Sequence, residues 1–159
     1  MFGKKLIVIV GATAVGKTSM AIRLAQHFQT EIISADSRQF FRELNIGTAK
    51  PNSTELSQAK HHFINSHSIF ESYNAGKFEQ DAILLLNKLF AEKDLLIMVG
   101  GSGMYVDAVC KGMDEMPEID LEIREKLNQE LEEKGLDFLV QELQNLDPDY
   151  ANQVEISNP

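Results

Sequence analysis

Apolar positions along the chain fall into short unbroken runs that alternate with stretches of helical spacing. Residues 4–10, Lys4-Lys5-Leu6-Ile7-Val8-Ile9-Val10, form a β-branched run with no polar break after Lys5. Such a run predicts a strand buried on both faces, the kind a parallel sheet uses. A glycine loop follows, and over 19–28 Met20, Leu24 and Phe28 recur at helical spacing with Ala21 and Ala25 beside them. Residues 31–35 predict a second short strand ending at Asp36-Ser37, and 94–99 a third, closed by Gly100-Gly101-Ser102-Gly103. Between them, 45–53 is loop-like around Gly47 and Pro51, and Ser53 or Thr54 is expected to cap a short helix through Lys60. Residues 61–74 read as irregular, 76–90 as a strongly amphipathic helix, and Met104 to Cys110 as the start of another helix.

The texture changes beyond Met116-Pro117. Residues 119–134 and 136–146 predict charged, amphipathic helices separated at Gly135, and the stretch from Asp147-Pro148 to Asn158-Pro159 predicts neither helix nor strand, only a loose tail or the end of a truncated product. Strands alternating with helices predict an α/β fold with a mostly parallel sheet. The division expected is a core over 1–115 and a helical insertion or lid over 116–159. No internal repeat or low-complexity tract is visible.

Composition narrows the class. At 159 residues the chain matches one domain on a scale of roughly 150 residues each. The net charge of −9, from 24 acidic and 15 basic residues, argues mildly against a nucleic-acid binder, although much of the acid lies late, between Asp114 and Glu155. No apolar run approaches the ~18–20 residues of a membrane span, and the N-terminus leads into a glycine loop rather than a signal-cleavage site. The single cysteine, Cys110, excludes a disulfide framework and a cysteine-only zinc site, so a reducing, cytoplasmic compartment is expected.

The strongest chemical signal is Gly11-Ala12-Thr13-Ala14-Val15-Gly16-Lys17-Thr18, which fits G-x-x-x-x-G-K-[ST] between a predicted strand and a predicted helix. Glycines turn successive N–H groups toward one point, the helix N-terminus adds a positive dipole end, Lys17 supplies a full charge and the Thr18 hydroxyl can ligate Mg²⁺. The loop specifies a polyphosphate but not ATP. The fold expected is therefore phosphate-loop NTPase-like.

Most such NTPases place a carboxylate after a later apolar strand to organise Mg²⁺ and water. Here Leu95-Leu96-Ile97-Met98-Val99 ends in glycines, and no carboxylate follows until Asp107. The only strand that ends in a carboxylate is Ile32-Ile33-Ser34-Ala35-Asp36. Asp36 thus falls at the carboxyl end of a strand beside the phosphate loop, where such sheets bind ligands. It can hold Mg²⁺ through water, take a proton from a nucleophile, or merely cap the next turn. Ser37, Arg38 and Gln39 are equipped to read base edges and phosphates, or to form a solvated loop.

These residues resemble the tRNA dimethylallyltransferases (tRNA isopentenyltransferases). The phosphate loop is similar to that family's, as are Ile33-Ser34-Ala35-Asp36-Ser37-Arg38-Gln39 and Leu44-Asn45-Ile46-Gly47-Thr48-Ala49-Lys50-Pro51. His61-His62 with Glu71-Ser72-Tyr73-Asn74-Ala75-Gly76-Lys77-Phe78, and Val99-Gly100-Gly101-Ser102-Gly103-Met104-Tyr105, continue the match in order. The resemblance implies transfer of a dimethylallyl group from its diphosphate to the exocyclic amine of the adenosine 3′ of the anticodon. The partners it implies are dimethylallyl diphosphate and a tRNA anticodon stem-loop, with Mg²⁺ as cofactor and the enzyme a cytoplasmic monomer. The diphosphate, not ATP, would occupy residues 11–18, with Thr13 to Thr18 closest, although the loop also carries the generic reading of nucleotide binding. Lys17 and Mg²⁺ on Thr18 would neutralise the leaving pyrophosphate. Asp36 would be the general base, working on a flipped adenine. Asp36, Ser37, Arg38, Gln39, Ser102 and Arg124 would contact tRNA, with Ser102 standing where the family usually has threonine and counted among the catalytic groups.

Ala12 and Val15 depart from the family's usual Pro and Ser without removing the loop's backbone function. The chain is expected to be roughly the first half of a family member, lacking a basic tRNA-contacting stretch that follows, so it is read as a fragment. Two other readings stay open: a kinase for a small molecule or nucleoside monophosphate, and a nucleotide-binding module without turnover. Other residues take plainer roles. His61, His62 and His67 are expected to pack or line the cleft rather than hold zinc. Tyr73 and Phe78 read as core or cleft wall, and Leu84-Leu85-Leu86 with Leu89 and Phe90 as helix core. Cys110 reads as a small apolar residue, the glutamates between 121 and 144 as solvated faces, and Met113 and Met116 as gap fillers or the edge of a prenyl pocket.

Overall fold

A computed structural model describes residues 3–113 and 120–155. The chain divides into two compact units, Met1–Asp114 and Glu115–Pro159. In the first unit the order is β1 (Lys5–Val10), α1 (Lys17–Phe28), β2 (Ile32–Ser34), α2 (Ser53–Gln58), β3 (His61–His62), α3 (Ala75–Phe90), β4 (Leu95–Gly100) and α4 (Gly103–Lys111). The four strands form one parallel sheet in the order β1-β4-β2-β3. Register pairs Ile7 with Ile97 and Val10 with Gly100 across β1 and β4, and Ile33 with Met98 across β2 and β4.

Successive side chains of a strand point to opposite faces, so β2 and β4 feed two cores. Ile33, Leu96 and Met98 pack with Phe78, Ala82, Leu86 and Leu89 of α3 and Val106 of α4. Ile32, Ile97 and Val99 pack with Ala21, Ile22 and Ala25 of α1. The result is an α/β sandwich of three layers, and it explains the unbroken apolar runs: a strand covered on both faces has no polar side.

The strand at β1 departs from its reading. Leu6 and Val8 reach one core and Ile7 and Ile9 the other, but all four are only half-buried and Val10 is exposed. Among the described residues β1 is an outer strand of the sheet, so its far side lacks the cover that a central strand receives. Leu84 is a second correction: it is 69% exposed rather than core. It stands two residues from both Ala82 and Leu86, about 200° around the helix from the buried stripe.

The region read as irregular contains β3, which pairs parallel with β2, and a further isolated bridge joins Phe41 to His67. The short helix α2 is capped by Asn52, not by Ser53 or Thr54. The Asn52 side chain accepts from the Glu55 N–H at 2.9 Å, and the Glu55 carboxylate accepts from the Asn52 N–H at 2.8 Å, a reciprocal capping box. The helix ends at Gln58, short of Lys60.

The second unit consists of α5 (Leu121–Lys134), α6 (Leu136–Leu146) and α7 (Pro148–Ala151). Gly135 terminates α5 at φ 81°. The segment read as a loose tail begins with α7, whose cap is Asp147, accepting from the Tyr150 N–H at 2.9 Å, with Pro148 at the first helical position. Met116 and Asn158-Pro159 lie outside the described residues.

Candidate functional site

The phosphate loop joins the carboxyl end of β1 to the start of α1. Gly16 caps α1 in a left-handed conformation, φ 92°, and Ala14 is left-handed at φ 66°. A side chain at Gly16 would be strained by that φ alone. Left-handed residues set among right-handed ones turn successive N–H groups to the same side of the chain, which makes an anion nest at the positive end of the helix. Lys17 folds back over the loop and donates from Nζ to the Ala12 carbonyl at 2.6 Å. That bond satisfies the ammonium locally while holding it at the mouth of the nest.

Asp36 stands two residues past the end of β2, and its turn is built from several independent contacts. Asp36 Oδ1 accepts from the Arg38 N–H at 3.1 Å, and the Asp36 carbonyl accepts from the Gln39 N–H at 3.0 Å. The turn-capping role weighed for this residue is therefore real, and it occupies one carboxylate oxygen. From the opposite side, Ser102 Oγ accepts from the Ser37 N–H at 3.1 Å and donates to Ser37 Oγ at 3.1 Å. Gln39 is buried; its amide donates to the carbonyls of Thr48 and Ala49 at 3.2 and 3.1 Å and its oxygen accepts from Ser34 at 3.1 Å. Phe40 anchors the same turn in the core, stacked on Phe78 with ring centroids 5.0 Å apart and edge-on to Tyr73 at 5.4 Å.

Two glycines at the end of β4 set the spacing between these parts. Gly100 lies against β2, where an added Cβ would stand 2.7 Å from the Ala35 carbonyl carbon. At Gly101 an added Cβ would stand 3.7 Å from Asp36 Oδ2, 3.9 Å from Lys17 Nζ and 3.9 Å from the Gly11 carbonyl. One point in space thus lies within van der Waals distance of the loop ammonium and the strand-end carboxylate. Lys17, Thr18, Asp36 and His61 line a single cleft together with Ser34 and Gln39. Asp36 and Thr18 present oxygen donors to it, the donor type that Mg²⁺ takes.

The histidines have separate employment. His61 Nδ1 donates to the Ala59 carbonyl at 2.8 Å, His62 Nε2 is 2.6 Å from Glu31 Oε2, and His67 stacks on Tyr73 with centroids 3.6 Å apart. No group of three or more metal-ligating side chains occurs among the described residues. Burial pushes the His61 imidazole below its ordinary value, outweighing the upward pull of the Ala59 bond and of Glu55. Between that lowered value and about 6.5 the unfolded chain binds a proton that the folded chain refuses, so stability falls as pH drops below about 6.5. The urea midpoint should therefore be lower at about pH 5.5 than at about pH 7.5, and His61→Gln, which cannot titrate there, should narrow the difference.

The structure brings together Lys17, Thr18, Asp36 and the loop, and sets Ser37 and Ser102 beside them. Arg38 is exposed at the rim. Gln39, grouped in the sequence with the RNA-contacting residues, has both amide hydrogens and its oxygen spent inside the protein. Arg124 is exposed on α5 in the second unit. Sequence reasoning set His61 among residues that pack or line the cleft, without the pairing that puts it there, and assigned Lys50 no role of its own. His61 enters the cleft because β3 pairs with β2, a pairing with no local signature. Lys50 closes the 44–51 loop by donating to the Phe41 carbonyl at 2.6 Å and to Asn65 and Asn45 Oδ1 at 2.7 and 3.2 Å. Its position in a Gly-Thr-Ala-Lys-Pro stretch was visible, but its partners were not.

Comparison with known proteins agrees with this architecture. Residues 39–159 match the family model described as IPP transferase. The chain is 52% identical to the tRNA dimethylallyltransferase of Flavobacterium johnsoniae over 98% of its own length and 50% of the relative's. It is 54% identical to that of Christiangramia forsetii over 97% and 51%. Among solved structures it is similar to the full-length tRNA isopentenylpyrophosphate transferase of Bacillus halodurans, with TM-score 0.68 and 34% identity, covering 98% of this chain and 52% of that one. It is also similar to a eukaryotic dimethylallyltransferase acting on tRNA, with TM-score 0.77 and 29% identity over 98% of this chain and 39% of the other. The chain spans about half the length of the curated relatives it matches.

Proposed function

The chain belongs to the IPP transferase family, and from that premise we propose that it carries the catalytic half of a tRNA dimethylallyltransferase. The observation that carries this reading is that Lys17 Nζ and Asp36 Oδ2 both lie within 4 Å of the point a Cβ would occupy at Gly101. A prenyl transfer needs those two groups in one small volume. The nest and Lys17 hold the diphosphate and balance the charge that gathers on it as the carbon–oxygen bond breaks. Asp36 Oδ2 takes a proton from the attacking amine as the carbon–nitrogen bond forms. The products are prenylated adenine and pyrophosphate, and the carboxylate carries the proton away.

The acceptor proposed is the exocyclic amine of the adenosine 3′ of the anticodon, swung out of the stacked loop. Ser37 and Arg38 would meet the RNA at the rim, and Arg124 would do so from the second unit. Thr18 and Asp36 fit Mg²⁺ by donor type, and the bound ion would add positive charge against the diphosphate. The working unit proposed is a cytoplasmic monomer, since the tRNA pool is cytoplasmic; among the described residues no helix is long and apolar enough to cross a membrane. The kinase reading is not favoured: the relatives carry the transferase name, and β4 ends in glycines instead of a carboxylate.

Thermal unfolding of the chain tests the reading. Mg²⁺ with dimethylallyl diphosphate should raise the midpoint by several degrees when the ligand is near 100 times its dissociation constant, which is worth ~2.7 kcal/mol. ATP under the same conditions should raise it less. A larger shift with ATP would overturn the transferase reading.

A further inference from the structure

The cleft is lined by one histidine that the mechanism above does not use. His61 Nε2 is buried and is the one side-chain nitrogen or oxygen so buried that has no hydrogen-bond partner among the described residues. Its ring is fixed from the other side. The Ala59 carbonyl can only accept, so the 2.8 Å bond puts the hydrogen on Nδ1. With the ring neutral, Nε2 presents a lone pair. The backbone that carries it is fixed as well, because β3 pairs His61 with Ile32 and the Ile32 N–H donates to the Lys60 carbonyl at 2.9 Å.

Polarity then decides what the atom can meet. A diphosphate offers only acceptor oxygens, which an imidazole lone pair repels. The positive groups of the cleft, Lys17 and the nest, stand at the loop. Asp36 and His61, each with an acceptor to offer, line the same cleft. Two acceptors suit a ligand group with two hydrogens and one nucleophilic lone pair, which describes a primary aromatic amine. Resting on the functional reading above, we propose that His61 Nε2 accepts one N–H of the adenine exocyclic amine while Asp36 Oδ2 accepts the other, so that the nitrogen lone pair is aimed at the prenyl carbon. The bond formed and the bond broken are unchanged: the proton leaves to Asp36, and the hydrogen held by His61 stays on the product amine.

This assignment makes His61 a determinant of base identity. Hypoxanthine presents an oxygen where adenine presents the amine, and that oxygen would face the lone pair of Nε2. A site whose acceptor is left unmatched in this way discriminates by roughly ten- to a hundredfold.

The test uses the whole chain and two synthetic anticodon stem-loops that carry adenosine or inosine 3′ of the anticodon. Dissociation constants are measured for the unsubstituted chain, His61→Phe and His61→Gln, with unfolding midpoints alongside. The unsubstituted chain should prefer the adenosine loop. His61→Phe should lose at least tenfold of that preference, and His61→Gln, whose amide oxygen can stand near the Nε2 position, should recover part of it. A His61→Phe chain that folds and keeps the full preference overturns the proposal and leaves the transferase reading intact. An unsubstituted chain that binds both loops equally does the same. An unsubstituted chain that binds neither loop overturns this proposal, and the transferase reading falls with it only if ATP also raises the unfolding midpoint more than dimethylallyl diphosphate does. Should His61→Phe fail to fold, ¹⁵N imidazole spectra of the unsubstituted chain decide: hydrogen on Nδ1 and none on Nε2 supports the assignment, and the opposite tautomer ends it.

Discussion

Gly100→Ala should lower the thermal midpoint of the chain by roughly 10 °C, or prevent folding. The methyl group would enter the space of the Ala35 carbonyl, with that carbon 2.7 Å away and the Ala35 Cβ at 3.0 Å. Both are part of the neighbouring strand end, so no side-chain rotation relieves the overlap. The strands cannot separate cheaply either, because the Ala35 N–H donates to the Val99 carbonyl at 2.8 Å one residue away. Overpacking of this kind costs about 3 kcal/mol, and at this chain length each kcal/mol moves the midpoint by about 2–4 °C. The requirement is one of space, since Gly100 has an ordinary φ. Gly103→Ala is the matched control: nothing lies within 4 Å of its added Cβ, and the position begins α4, so the midpoint should stay level or rise slightly. The consequence for the site follows from the geometry. Pushing β2 off β4 displaces Asp36 from the Gly101 backbone, so any Gly100→Ala protein that folds should also lose the spacing between carboxylate and ammonium.

How much of this was legible in the sequence depends on the range of the interaction. The phosphate loop, β1, β2, β4 and the long helices α1 and α3 were readable, because their signals are local: a run of β-branched residues, a glycine pattern, an apolar stripe. The placement of Asp36 at the end of a strand beside the loop was also readable, since a parallel α/β sheet delivers strand ends to one side. What escaped was set by contacts distant in sequence. β3 is two residues long and exists only because β2 offers it a free edge. Gln39 looks like a polar group awaiting a ligand, and only the fold reveals that the 48–49 backbone consumes its amide. The Ser102 hydroxyl holds the Ser37 N–H, 65 residues away in sequence, and so fixes the turn of Asp36. Leu84 was misread because three consecutive leucines invite one assignment, while a helix separates adjacent residues by about 100°.

Asp36→Asn should reduce prenyl transfer to an anticodon stem-loop by about 10²–10⁴-fold, the range a positioned general base contributes. The substitution is chosen for what it keeps. Asp36 Oδ1 accepts from the Arg38 N–H, and an asparagine oxygen can make the same bond, so the turn should survive and the unfolding midpoint should hardly change. The loop is untouched, so stabilisation by Mg²⁺ and dimethylallyl diphosphate should persist in large part. Lys17→Met is the complementary variant. It removes the cation that faces the diphosphate and should remove most of the ligand-induced shift in midpoint, and turnover with it. The two variants separate binding of the leaving group from proton removal, although their side chains meet at one glycine. If Asp36→Asn kept full turnover, the proton would have to leave by another route, and the convergence at Gly101 would lose its chemical meaning. If Asp36→Asn abolished the ligand shift as completely as Lys17→Met does, Asp36 would be serving the metal-bound diphosphate instead of the amine. The aromatic amine makes loss of turnover with the ligand shift retained the expected result: its lone pair is delocalised into the ring, it is barely basic, and it becomes a competent nucleophile only as its proton is taken. A carboxylate within 3.7 Å of the point where the loop ammonium also converges is positioned to take that proton as pyrophosphate leaves.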